Sequence, residues 1–116
     1  MTRILLLASG LLIGLGLTLF VGCGEYPGTG NGEHAFVRGD ANFDGTVNLA
    51  DSSFILAFIA GNRNANCLDA LDVNDDGQIS QDDSVYLIDF LFNGGAAIPE
   101  PTQLGFDPTQ DNLRCF

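Results

Sequence analysis

Lysine is absent from the chain. Its four basic residues are all arginines, Arg3, Arg38, Arg63 and Arg114, set against fifteen Asp and Glu for a formal net charge of −11. A protein this acidic is repelled by phosphate backbones, which argues against a nucleic-acid partner. Histidine is nearly absent as well. His34 stands alone in a glycine-rich stretch with no nucleophile or metal partner beside it, and it reads as a surface residue. No set of nucleophile, base and orienting group is visible, and a chain of 116 residues leaves little room for a substrate cleft, so the chain reads as non-enzymatic. Long apolar runs are missing too, with one exception at the N-terminus.

That exception runs from Ile4 to Val21 behind the single positive charge of Arg3. It is long enough for a membrane helix, yet Gly10, Gly14 and Gly16 interrupt it. It ends in small residues beside a cysteine, which fits a signal peptide over residues 1–22 better than a permanent span. The ending "LFVGC", residues 19–23, resembles a bacterial lipobox, with Phe20 where leucine is usual. By that resemblance Cys23 is the acylated first residue of an exported protein. It would be held at the cell envelope by a lipid anchor and not by a spanning helix. The alternative is ordinary secretion with cleavage nearby.

Three cysteines are an odd number for an exported chain. If Cys23 is lipidated, Cys67 and Cys115 remain, and an oxidising compartment permits them to pair. The other reading is two unpaired thiols.

The remaining length suits one small domain. Residues 23–35 are rich in glycine and polar side chains, include Pro27, and read as a flexible linker. Residues 36–95 hold an internal repeat. "DANFDGTVNLAD" at 40–51 and "DVNDDGQISQDD" at 72–83 align in register, matching Asp40 with Asp72, Asn42 with Asn74, Asp44 with Asp76, Gly45 with Gly77 and Asp51 with Asp83. Two such loops in register are far less expected by chance than one. Residues 96–116 form a tail with Pro99, Pro101 and Pro108 and little periodicity, which a Cys67–Cys115 bond would fold back over the domain. Leu104, Phe106 and Leu113 are then the residues expected to cover the apolar helices.

Each loop has the grammar of a calcium site. Calcium takes six to eight oxygen ligands, and a twelve-residue loop supplies them from positions 1, 3, 5, 7, 9 and 12. The first loop offers Asp40, Asn42, Asp44, the Thr46 carbonyl, Asn48 through a water, and Asp51. The second offers Asp72, Asn74, Asp76, the Gln78 carbonyl, Ser80 and Asp83. Gly45 and Gly77 occupy the sixth position, where the chain turns sharply. The twelfth ligand is aspartate where glutamate is usual, which shortens its reach by one methylene. Magnesium demands a stricter octahedral geometry and more retained water. The cofactor expected is therefore two calcium ions, acting as a structural staple for a domain with a small core. Val47 and Ile79, at position eight, are expected to meet in a short two-stranded contact between the loops.

After the first loop, "LADSSFILAFIAG" places Phe54, Ile55, Phe58 and Ile59 on one helical face before a stop at Gly61. After the second, "DDSVYLIDFLFNGG" is apolar nearly all round and stops at Asn93-Gly94-Gly95. A core needs only one stripe. The surplus serves either packing under the tail or an interaction surface.

Each loop is followed by a helix, and neither has room for a full helix before it. This arrangement resembles a dockerin, a domain of two half-EF-hands that binds calcium in both and plugs enzymes of cellulose-degrading bacteria into cohesin modules. The resemblance covers roughly residues 36–95. It implies a small all-α fold of two loop–helix repeats packed as a pair, with an irregular C-terminal tail. It also implies calcium ligation by Asp40, Asn42, Asp44, Asp51, Asp72, Asn74, Asp76 and Asp83. More narrowly, "FVRGDAN", "NDDG" and the "FDPT" tail are similar to dockerin-like repeats of planctomycete-type bacteria. Relatives of that type often carry two more cysteines where Leu71 and Leu104 stand here, which implies that Cys67 and Cys115 are a retained pair. One departure concerns the partner. Many cellulosomal dockerins carry a Ser-Thr pair just before the twelfth loop residue, where this chain has Leu49-Ala50 and Gln81-Asp82.

The reading favoured is a calcium-stabilised interaction module at the cell envelope, with a protein partner of cohesin-like kind and a link to polysaccharide catabolism. The alternative is an exported calcium-binding or buffering protein with no fixed partner. A sensor that opens a helix pair is disfavoured, because such a device needs a helix entering each loop.

Overall fold

A computed structural model describes residues 34–116. The signal peptide 1–22, Cys23 and all but the last two residues of the 23–35 linker lie outside the described residues. Three helices follow in order among them: α1 (Leu49–Ile59), α2 (Leu68–Leu71) and α3 (Gln81–Phe92). The fold is small and all-α.

The two long helices start in the same way. Asn48 caps α1 by accepting from the Ala50 N–H at 2.8 Å, while the Asp51 carboxylate accepts from the Asn48 N–H at 2.8 Å. Ser80 and Asp83 repeat this reciprocal capping box at α3. Two N–H groups that a helix start would leave unpaired are thus satisfied at each site. α1 ends in a Schellman turn, with Gly61 at φ +79° and Asn62 N–H donating to the Ala57 carbonyl at 2.9 Å. α3 ends at Gly94, φ +65°.

α1 packs against α3. Ile55 and Leu87, equivalent in the two repeats, are completely buried at the centre, and each contributes about 1.5–3 kcal/mol by leaving water. Ala41, Val73, Ala70, Leu71 and Phe36 complete the core. Three of the four apolar residues expected on one face of α1 do face the core, Ile55 fully buried and Phe54 and Phe58 packed against it, but the fourth does not. Ser52 is buried and Ile59 is 40% exposed. The loop fixes Asp51 inward, so the helix rotates to present Asp51, Ser52 and Ile55 to the interior.

The expected contact between Val47 and Ile79 does not form. The isolated bridges among the described residues are Phe36–Gly105 and Cys67–Cys115. With no entering helix to bring the loops edge to edge, Val47 packs instead beside Gly39, where an added Cβ would lie 3.3 Å from its Cγ1.

The tail is irregular but tied down throughout. Phe36 and Gly105 exchange both backbone hydrogen bonds, Arg38 N–H reaches Pro101, and Leu68 and Phe116 bond backbone groups across the disulfide between Cys67 and Cys115. Its buried residues are Ile98, Pro101 and Cys115. Leu104 is 73% exposed and Phe106 is also exposed, so these two do not cover the helices. The tail runs over the segment around Phe36 and the second loop, and leaves Val85 and Phe92 of α3 in solvent.

Candidate metal centre

The loops are the same structure made twice. In the first, Asp40 accepts from the N–H groups of Asp44 and Gly45 at 3.1 and 2.9 Å. In the second, Asp72 accepts from Asp76 and Gly77 at 3.1 and 2.8 Å. Asn42 and Asn74 each accept from the N–H two residues on, as do Asp44 and Asp76. Asp51 reaches back to the N–H of Asn42, and Asp83 to that of Asn74. These bonds wind each segment so that alternate side chains face one point. The winding requires left-handed backbone at the fourth and sixth positions. Phe43 and Asp75 take it at φ +61° and +57°, Gly45 and Gly77 at +85° and +80°. Glycine adopts that region without the penalty a Cβ brings.

One carboxylate oxygen from each of Asp40, Asp44 and Asp51 lies within 4.8 Å of the others, and Asp72, Asp76 and Asp83 converge in the same way. Burial pushes the carboxyls of Asp40, Asp51 and Asp83 above their ordinary range, and the neighbouring carboxylates add to the effect. Asp72 is pushed up to about 6, first by burial and then by the charges of Asp83 and Asp76. Among the described residues, no cationic side chain pairs with the carboxylates of either cluster. All-oxygen, anionic and partly desolvated donor sets of this kind fit a hard divalent cation, and calcium before magnesium because the ligands come from one flexible loop.

Asn48 and Ser80 are occupied in an additional way, as helix caps, which makes the ninth loop residue a hinge between loop and helix. The twelfth residue serves both parts: Asp51 and Asp83 face the cluster and close the capping box. The main-chain carbonyls of Thr46 and Gln78 belong to the same turns.

Two sets of residues have no signal in the loop pattern. Ser52 and Ser84 meet in the buried contact between the helices. Arg38, 1% exposed, ties the start of the first repeat to the second loop and the tail. An arginine two residues before the first acidic loop, in a chain with no lysine and only four arginines, is the available signal for the latter.

A pair of loops of the calcium-binding pattern, each feeding one helix and neither entered by a full one, defines a double half-EF-hand module. Residues 38–92 match the family model of the dockerin type I domain, and that part of the chain is a dockerin-like domain. No curated protein and no solved structure gives a significant match. A dockerin domain is a non-catalytic protein-interaction module, typically calcium-binding.

Proposed function

We propose that this chain is a non-enzymatic docking protein whose dockerin domain holds two calcium ions and engages a protein partner. The observation that carries the reading is the bond-for-bond identity of the two loops, each converging three carboxylates on one point. The ligands are Asp40, Asn42, Asp44, Asp51 and the Thr46 carbonyl in one loop, with Asp72, Asn74, Asp76, Asp83 and the Gln78 carbonyl in the other. Asn48 and Ser80 act through water. Bound calcium neutralises the carboxylates, fixes the first turns of α1 and α3, and so sets the faces that meet the partner. Leu49 and Leu56 on α1 and Val85 and Phe92 on α3 are exposed apolar residues available to it.

The partner is of cohesin type, the kind dockerin domains bind. The rest of the reading rests on sequence. The Ile4–Val21 run exports the protein, acylation at Cys23 anchors it at the cell envelope, and the residues up to 35 hold the domain clear of the membrane. A role in polysaccharide breakdown follows from the company dockerins keep. A second reading, an exported calcium buffer, is favoured by one observation: Leu49-Ala50 and Gln81-Asp82 stand exposed where a Ser-Thr recognition pair is common.

Affinity capture from envelope extract, run with calcium and with excess chelator, separates the two. One cohesin-like protein recovered only with calcium supports docking. Calcium binding without any calcium-dependent protein would favour the buffer.

A further inference from the structure

Although the two loops match in their own bonds, they are not supported equally from outside. The difference lies at the fourth loop position, where the backbone is left-handed. In the first loop that residue is Phe43, and its side chain is 48% exposed. In the second it is Asp75, whose carboxylate is gripped twice. Thr109 Oγ1 lies 2.7 Å from Asp75 Oδ1 and equally 2.7 Å from Asp107 Oδ1, so its one proton is shared between the two carboxylates, and Arg38 Nη2 lies 3.3 Å from the same Asp75 oxygen.

Arg38 does more at this loop. Its Nη1 donates to the Asp72 carbonyl at 2.9 Å and stands 3.3 Å from the Asp69 carbonyl. Its Nε donates to the Glu100 carbonyl at 3.0 Å, and Nη2 also pairs with Asp107 at 2.8 Å. The Asp72 carbonyl therefore receives both the turn bond from Asp75 N–H and the arginine. In the first loop the Asp40 carbonyl receives the corresponding turn bond from Phe43 N–H, and Ala70, the repeat equivalent of Arg38, has no side chain able to reach back. The guanidinium is fully buried, so its rotamer is set by packing and by these bonds.

We propose that Arg38 is a positioning residue for the second calcium loop, and that with Asp75 and Thr109 it makes this loop the tighter of the two sites. The proposal rests on the two-calcium reading above. A loop already held in its liganding shape loses less conformational freedom when the ion arrives, and the saving appears as affinity. The positive charge of Arg38 does not offset the gain. It is matched by Asp75 and Asp107, neither of them a loop ligand, and Asp111 adds a further negative charge beside the loop. The first loop has no such external hold at Phe43 and relies on its own internal bonds, so more of its stiffening is left to the ion.

The test is calcium titration of the full chain in mild detergent, one loop at a time. Asp44→Ala leaves the second loop as the working site, and Asp76→Ala leaves the first. The second loop alone is expected to bind about tenfold or more tightly than the first, equivalent to about 1.4 kcal/mol. Asp75→Asn tolerates the left-handed backbone but loses the ion pair. It is expected to weaken the second loop several-fold and leave the first unchanged, with Thr109→Val acting in the same direction. Arg38→Met is expected to remove most of the difference; if that variant does not fold, the Asp75 and Thr109 variants decide the matter alone. Chelator-triggered release should show two phases in the parent protein, with the slow phase lost in Asp75→Asn. Equal affinities in the parent, or equal weakening of both loops by Asp75→Asn, would overturn the proposal. Failure of either loop to bind calcium at all would overturn the two-calcium reading with it.

Discussion

The hydroxyl of Ser52 lies 2.5 Å from that of Ser84, and each is 3.4 Å from the other's carbonyl oxygen. The two residues are 32 positions apart, the spacing of the loops themselves, so the contact marks an approximate two-fold axis through the domain. Each serine directly follows its loop's twelfth residue. A buried hydroxyl pair here fixes the register of α1 on α3 without needing large side chains. Ser52→Ala and Ser84→Ala should each destabilise the protein by about 1 kcal/mol, the usual net worth of a hydrogen bond. The double variant should cost less than the sum, because the second substitution removes a hydroxyl that the first has already deprived of its partner. Denaturant unfolding of the calcium-loaded protein checks this; strictly additive losses would mean that the two hydroxyls act separately.

Ile55 and Leu87 extend the same symmetry into the core, and both are inaccessible to solvent. Truncation to alanine at either should cost about 2–5 kcal/mol through lost burial and the cavity left behind. Similar losses at the two positions are expected in thermal unfolding. A loss at Leu87 alone would indicate that the first repeat contributes little to the core.

How much of this was readable beforehand depended on whether the determinant was local. The convergence of the loop carboxylates, the glycine turns and the helix stops at Gly61 and Gly94 are dictated by residues within a few positions of each other, and the sequence pattern contains them. The serine contact and the Arg38 cluster join residues 31 to 69 positions apart, and nothing near Arg38 in the chain points to Asp107. One residue of the α1 face, Ile59, was misjudged for a related reason. Apolar spacing favours Ile59 as a core residue, but the loop sets the helix rotation through Asp51. The Val47–Ile79 contact was a habit of full EF-hand pairs, and without entering helices the two residues are free to pack elsewhere.

Asp51 links the carboxylate cluster to the helix, since the same carboxylate faces the cluster, accepts from Asn42 N–H at 3.2 Å and closes the capping box on Asn48. Asp51→Ala should therefore lower calcium stoichiometry from two to one and loosen the start of α1 together. Calorimetry reads the first effect and amide exchange at residues 49–52 the second. Two ions still bound would remove Asp51 from the ligand set.

The Cys67–Cys115 disulfide spans 48 residues and holds the end of the tail against the start of α2. Replacing both with serine should cost about 4 kcal/mol by the chain-entropy relation for a loop of that length. Part of the loss should return at high calcium, because the ion stabilises only the folded form. A variant whose midpoint shifts little in chelator would show that the tail is held chiefly by Arg38 and the Phe36–Gly105 bridge.

Acid should act on the metal-free and metal-loaded forms in opposite directions. The Asp72 carboxyl is raised from 3.8 to about 6 in the folded chain, by burial first and the charges of Asp83 and Asp76 next. A group with a raised folded-state value stabilises the fold fully below its unfolded value, and that contribution is lost as pH rises through the folded one. The metal-free protein should thus become less stable between about pH 4 and 6, with Asp83, Asp40 and Asp51 shifted in the same direction. Calcium requires the deprotonated carboxylates, so its affinity should fall as pH drops below about 6, by up to roughly tenfold per pH unit for each proton displaced. Thermal melts at several pH values, with calcium and with chelator, should show the gap between the two curves widening from acid to neutral. A gap that stays constant across this window would mean that Asp72 does not titrate against the ion.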